Sequence, residues 1–168
     1  LLVSSKPTGT LVVDHLLPGR HLYLVSTGTG LAPFMSIIQD PEAYERYDKI
    51  ILTHGVREVS ELAYEDFITN QLPNNEFFGD EVREKLIYYP TVTREDFRTQ
   101  GRLTDAMSSG KLFDEIGLPK PNLEDDRFMI CGSPSMLKDT CAIVEEWGFK
   151  ESRHGIQAHY VIERAFVE

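Results

Sequence analysis

Short apolar runs alternate along the chain with stretches whose apolar positions recur at helical spacing. The runs at 21–25, 49–54, 85–90, 127–131 and 159–163 are rich in Ile, Leu, Val, Tyr and Phe. Runs of this kind, with little polar alternation, suit strands covered on both faces. Between them, residues 33–39, 62–70, 80–85, 104–109 and 135–147 predict helices. Pro33 is tolerated in the first turn of its helix, where the N–H it lacks would have no partner. The helix over 135–147 is the strongest, and Gly148 stops it. Pro90 is expected to close the third strand, and the turn residues of 117–122 predict a loop. Strand and helix in repeated succession predict an α/β fold, a five-stranded parallel sheet with helices on both faces. The first 18 residues fall outside this pattern. Pro7-Thr8-Gly9-Thr10-Leu11-Val12-Val13 reads as a turn and a strand, so 1–18 is expected to be the tail end of a preceding domain and 19–168 the α/β unit. The apolar start without Met predicts a chain that begins inside a longer protein.

Composition narrows the possibilities. The chain has 168 residues, 41% hydrophobic and 26% charged, the balance of an ordinary soluble domain. No apolar run approaches the ~20 residues of a membrane span, and no secretory leader is read at the start. A net charge of −10 argues against nucleic acid as a general partner. The two cysteines, Cys131 and Cys141, make no disulfide framework and point to a reducing compartment, read as the cytoplasm. The five histidines lack metal-ligand spacing, so no metal is expected.

The candidate chemistry lies where strands of such a sheet end, because ligands bind beyond their carboxyl ends. After the first strand comes Ser26-Thr27-Gly28-Thr29-Gly30-Leu31-Ala32-Pro33. Its glycines let backbone approach a phosphate or a flat ring, and the helix behind offers free N–H groups. A Gly-x-Gly by itself also fits an ordinary tight turn. Gly55-Val56-Arg57, Thr91-Val92-Thr93-Arg94-Glu95 and Gly101-Arg102-Leu103-Thr104-Asp105 put three arginines on loops at the same sheet edge. The guanidinium fork suits phosphate, and in so acidic a chain the set of three points to an anionic ligand. The plainer alternative is local pairing, for example Arg94 with Glu95 or Asp96. Finally, Cys131-Gly132-Ser133-Pro134-Ser135 ends the fourth strand with a small polarizable thiol over which a ring could lie. A buried core thiol is the plainer reading there, and the one preferred for Cys141.

Together these segments resemble the NADP(H) domain of bacterial-type ferredoxin/flavodoxin–NADP+ reductases. The matching stretches are Ser26 to Phe34, His54-Gly55-Val56-Arg57, Thr93-Arg94-Glu95, Gly101 to Asp105, Cys131-Gly132-Ser133-Pro134 and the ending Val161-Ile162-Glu163-Arg164-Ala165-Phe166-Val167-Glu168. The resemblance implies a Rossmann-like domain that binds NADP(H). Arg94 and Arg102 would grip the 2′-phosphate, with Thr93 beside them, and Val56 and Arg57 would lie near the pyrophosphate or adenosine end. Cys131, the one catalytic residue it implies, would position the nicotinamide together with Gly132, Ser133, Pro134 and Ser135. Thr29 and Gly30 would lie on the NADP(H) side, with Thr29 also near the flavin. Ala165 would lie against the isoalloxazine and Phe166 near the FAD adenine.

The same resemblance implies hydride transfer between NADPH and FAD, single-electron exchange with ferredoxin or flavodoxin, and a monomer that meets neither nucleic acid nor membrane. The family's Arg-x-Tyr-Ser flavin motif is missing from this sequence, so the chain alone is expected to be inactive. Two alternatives stand beside this reading: an NADH-dependent flavin reductase of the same superfamily, and a non-catalytic nucleotide-binding module. The arginine pair weighs against the first and the Ala165-Phe166 ending against the second.

Overall fold

The five apolar runs form one parallel sheet in the computed structural model, which describes residues 13–164 and, at residue 164, the backbone alone. The strands are β1 (His21–Thr27), β2 (Lys49–Val56), β3 (Leu86–Val92), β4 (Asp126–Gly132) and β5 (Tyr160–Arg164). Their order is β3-β2-β1-β4-β5, with every neighbouring pair parallel. The chain therefore builds outward from β1 to one edge, then crosses back to β4. That reversal opens a crevice at the carboxyl ends of the central strands.

The pleat divides the core into two layers. Leu22, Leu24, Ile50, Leu52 and Met129 face α1 (Ala32–Ile37), α2 (Pro41–Arg46) and α3 (Gly79–Lys85), where they meet Phe34, Ile38, Tyr44 and Val82. Tyr23, Val25, Ile51, Phe128 and Ile130 face the opposite way. They meet Met107 of α4 (Leu103–Ser109), Phe113 of α5 (Lys111–Ile116), and Leu137 and Val144 of α6 (Pro134–Glu146). Tyr23 stacks on Phe128 at 4.9 Å between ring centres and takes the Phe113 edge at 5.6 Å. The non-alternating apolar pattern has its cause here, since both faces of the central strands are covered.

The far end of the sheet is fastened by polar groups. His21 and the buried Asp126 meet at 2.9 Å, and Asp126 also accepts from the Asn122 amide at 2.9 Å. Arg127, only 4% exposed, donates to the carbonyls of Leu17, Pro18 and Leu123 at 2.7–3.1 Å. Residues 13–18 are thereby tied to the sheet: Val13–His15 is a 3-10 turn, and the fully buried Leu16 bridges to Ala158. The rest of the stretch read as a turn and strand, 7–12, lies outside the described residues, as do Ala165 and Phe166.

Two expectations need correcting. Pro90 does not end β3, which runs on to Val92. β3 is an edge strand, and the Pro90 carbonyl accepts the Thr99 hydroxyl on the side away from β2. Nitrogen and carbonyl of one strand residue point the same way, so the missing N–H deprives no ladder partner. The region 62–70 is not an α-helix. A 3-10 turn at Val59–Glu61 ends just before it, and its second half enters a π-helical turn over Phe67–Gln71. Thr69 bonds the Glu65 carbonyl, and Asn70 and Gln71 bond the Asp66 carboxylate, local bonds that compete with regular helix. The short helices α2 and α5 were not foreseen.

Candidate functional site

Beyond the carboxyl ends of β1 to β4 lies a cavity of about 710 Å³. The elements that wall it are laced together by backbone. Thr93 N–H donates to the Val56 carbonyl at 3.1 Å and Arg94 N–H to the Arg57 carbonyl at 2.9 Å. The β2–β3 pairing is thus prolonged into the loops, and Arg57 and Arg94 leave adjacent strand ends side by side. Gly101 N–H donates to the Val92 carbonyl at 2.8 Å, bringing Arg102 back over the end of β3 at the start of α4. Beneath them Val56, Leu62 and Val92 form a small buried cluster with Phe97 packed against it. The Arg57 loop is also held by carboxylates. Glu61 accepts from the Arg57 and Glu58 amides at 2.9 Å each, and Glu95 accepts from Val59 N–H at 2.7 Å. The backbone amides hold the Glu61 carboxyl below its usual range.

On the other side two helix starts converge. The Gly28–Leu31 3-10 turn leads into α1, and Ser133 caps α6, its hydroxyl accepting from Met136 N–H at 3.3 Å. Glycine makes their meeting possible. A Cβ on Gly30 would stand 2.5 Å from the Cys131 carbonyl oxygen, and one on Gly132 would stand 2.5 Å from the Thr27 hydroxyl. Beneath the loop the buried His54 holds the Gly28 carbonyl through Nε2 at 2.7 Å, while its Nδ1 has no partner. Burial lowers the His54 pKa, so the ring is neutral with its proton on Nε2.

The cavity gathers Thr29, Val56, Arg57, Thr93, Arg94, Arg102, Gly132, Ser133, Pro134 and Ser135 from five separate stretches of sequence. Two sequence candidates do not line it. Gly30 is packed against the end of β4, and Cys131 is fully buried among the residues facing α1. Burial first, and then Glu163 beside it, push the Cys131 thiol up to about 11, so it is a thiol and not a thiolate at neutral pH. Two carboxylates, Glu61 and Asp139, also line the cavity, along with Gly55, Thr91 and Met136. Sequence reasoning missed the two carboxylates. The Glu58-x-x-Glu61 spacing just past Arg57 was a readable capping signal, but nothing marks Asp139 within its helix.

The charge arrangement is the site's most specific feature. Arg20, Arg46, Arg83, Arg98 and Arg153 each pair with a carboxylate elsewhere on the molecule, and Arg127 is occupied by carbonyls. The Arg57 and Arg94 guanidinium groups have no hydrogen bond or salt bridge to a described residue. Arg102 has one contact, to Asp139 at 3.6 Å. The suggested Arg94 pairing with Glu95 or Asp96 does not form. Guanidinium groups, the Gly28–Thr29 turn and the start of α6 therefore line one cavity, an arrangement for a ligand with several anionic groups. Among the described residues no cluster could hold a metal ion, and no helix is long and apolar enough to cross a membrane.

Fold and cavity define a dinucleotide-binding α/β domain of the doubly wound kind. The sequence profile of the oxidoreductase NAD-binding domain family matches residues 24–142, and the chain belongs to that family. Its full length aligns with the ferredoxin–NADP reductases of Pseudomonas aeruginosa at 69% identity and Azotobacter vinelandii at 66%, spanning 66% of the length of each. Among solved structures, a Neisseria gonorrhoeae ferredoxin NADP+ reductase with bound FAD and NADP superimposes with a TM-score of 0.83 at 27% identity. That match covers 95% of this chain and 61% of the other. A flavohemoglobin from Malassezia yamatoensis shares the fold, with a TM-score of 0.61 at 16% identity.

Proposed function

We propose that the chain is the NADP(H)-binding part of a ferredoxin–NADP+ reductase. The observation that carries this reading is the convergence of Arg57, Arg94 and Arg102 on one cavity of about 710 Å³, with no hydrogen bond from any of the three guanidinium groups to a described carboxylate. Arg94 and Arg102 hold the 2′-phosphate. Arg57 lies toward the pyrophosphate or adenosine end. Val56 and Thr93 line the same stretch. At the other end Thr29 and the Gly132-Ser133-Pro134-Ser135 turn bound the nicotinamide. Cys131 acts there from below, its backbone locked against Gly30 so that the turn keeps its shape. The relatives' names and the FAD and NADP bound in the gonococcal structure support the same assignment.

FAD, when bound, supplies a hydride acceptor that passes electrons on singly, here to ferredoxin or flavodoxin. The chain's own residues supply distance and orientation to the nicotinamide. Ala165 and Phe166 are assigned to the flavin side. No acid–base pair is required, and none lines the cavity.

The experiment is a titration with NADP+ and with NAD+. Replacing Arg94 or Arg102 by Ala should cost NADP+ about 1.5–3 kcal/mol, the worth of a charged hydrogen bond, or roughly 10- to 150-fold in affinity, and leave NAD+ nearly unchanged. Equal losses for both nucleotides would contradict the assignment.

A further inference from the structure

We infer that Asp139 sets how strongly this site prefers a 2′-phosphorylated dinucleotide, by competing with the phosphate for Arg102. The inference rests on the reading of the cavity as an NADP(H) site. Asp139 lines the cavity from α6, and its Oδ2 stands 3.6 Å from an Arg102 terminal nitrogen. Both side chains are open to solvent, at 47% and 65%. The distance is that of an ion pair without a hydrogen bond, so the carboxylate draws the guanidinium toward α6 without fixing it.

Asp139 differs from the other carboxylate of the cavity. Glu61 is engaged by two backbone amides, which hold the Arg57 loop in place and stabilise its carboxylate there. Asp139 has no such structural task. It sits beyond the first turn of α6, where the helix dipole has faded, and it caps nothing. Among the described residues its partner is Arg102. A negative group placed there repels an incoming phosphate dianion and must yield Arg102 before the phosphate can be gripped. The cost falls on nucleotides that carry the extra phosphate, because a 2′-hydroxyl neither needs Arg102 nor is repelled. Asp139 thus moderates the affinity that the arginines create, which eases release of the nucleotide.

The test is calorimetric titration of the chain with NADP+ and NAD+, using wild type, Asp139→Asn, Asp139→Glu and Arg102→Ala. Asp139→Asn should tighten NADP+ about three- to tenfold, a range set by the worth of exposed ion pairs and the repulsion removed. It should change NAD+ less than twofold, and Asp139→Glu should stay near wild type. If Asp139 instead accepted a ribose hydroxyl, Asp139→Asn would weaken both nucleotides, which would overturn the inference. Unchanged NADP+ binding in Asp139→Asn, with the Arg102→Ala loss intact, would overturn it alone. A wild-type chain without preference for NADP+, and indifferent to Arg102→Ala, would overturn the reading of the cavity and this inference with it.

Discussion

Arg57, Arg94 and Arg102 stand out because their charge is left over. Elsewhere on the molecule each described arginine side chain is spent on a carboxylate or on backbone carbonyls, and surface pairs of that kind contribute little. Arg57 and Arg94 could be read from sequence because each stands within two residues of a strand end, and Arg102 because it lies on the loop that follows β3. That Arg57 and Arg94 make no salt bridge could not, since it depends on where Glu61 and Glu95 point. Both carboxylates turn to backbone amides. His54 shows the same limit. It was legible only as part of a motif, yet it holds the Gly28 carbonyl from a buried position. Its lowered pKa has a consequence for stability. The unfolded chain takes up this proton near pH 6.5, before the folded chain does. The contribution is therefore whole above about pH 6.5 and is lost as pH falls toward the folded value. Thermal melts of wild type and His54→Gln between pH 7.5 and pH 5 should show wild type losing relative stability on acidification. A gap independent of pH would show that the ring is not neutral in the fold.

At the scale of elements, the strands were the most legible part, because both faces of β1, β2 and β4 are covered and the apolar runs are unbroken. Helices of six residues such as α2 and α5 carry too few turns to leave a period in the sequence. The 3-10 and π turns around 59–74 arise from side-chain-to-backbone competition that hydrophobic spacing does not record. Gly30 was expected among the cofactor contacts, and in the structure it acts between elements, letting the Gly28–Leu31 turn rest on the end of β4. The atoms a methyl group would meet are backbone, which cannot swing aside. Gly30→Ala should cost about 1–3 kcal/mol through overpacking, lowering Tm by about 2–12 °C, and should weaken NADP+ by separating the two helix starts. An unchanged Tm would mean that the two turns are not in contact.

For the whole molecule, a net charge of −10 coexists with a cavity rimmed by guanidinium groups. The sheet order explains how. The chain reverses between β1 and β4, so loops far apart in sequence open on one crevice and bring Arg57, Arg94 and Arg102 together there. The central claim is that this crevice grips the 2′-phosphate of NADP(H). Phosphorus NMR of NADP+ bound to the chain, followed from pH 7.5 to pH 5, tests it most directly. A phosphomonoester loses its second proton near pH 6 in water, and one enclosed by Arg94 and Arg102 should remain a dianion well below that. The account predicts a bound 2′-phosphate resonance that barely moves over this range, and that titrates again when both arginines are replaced by Ala. A bound nucleotide whose 2′-phosphate titrates as it does free in solution would contradict it.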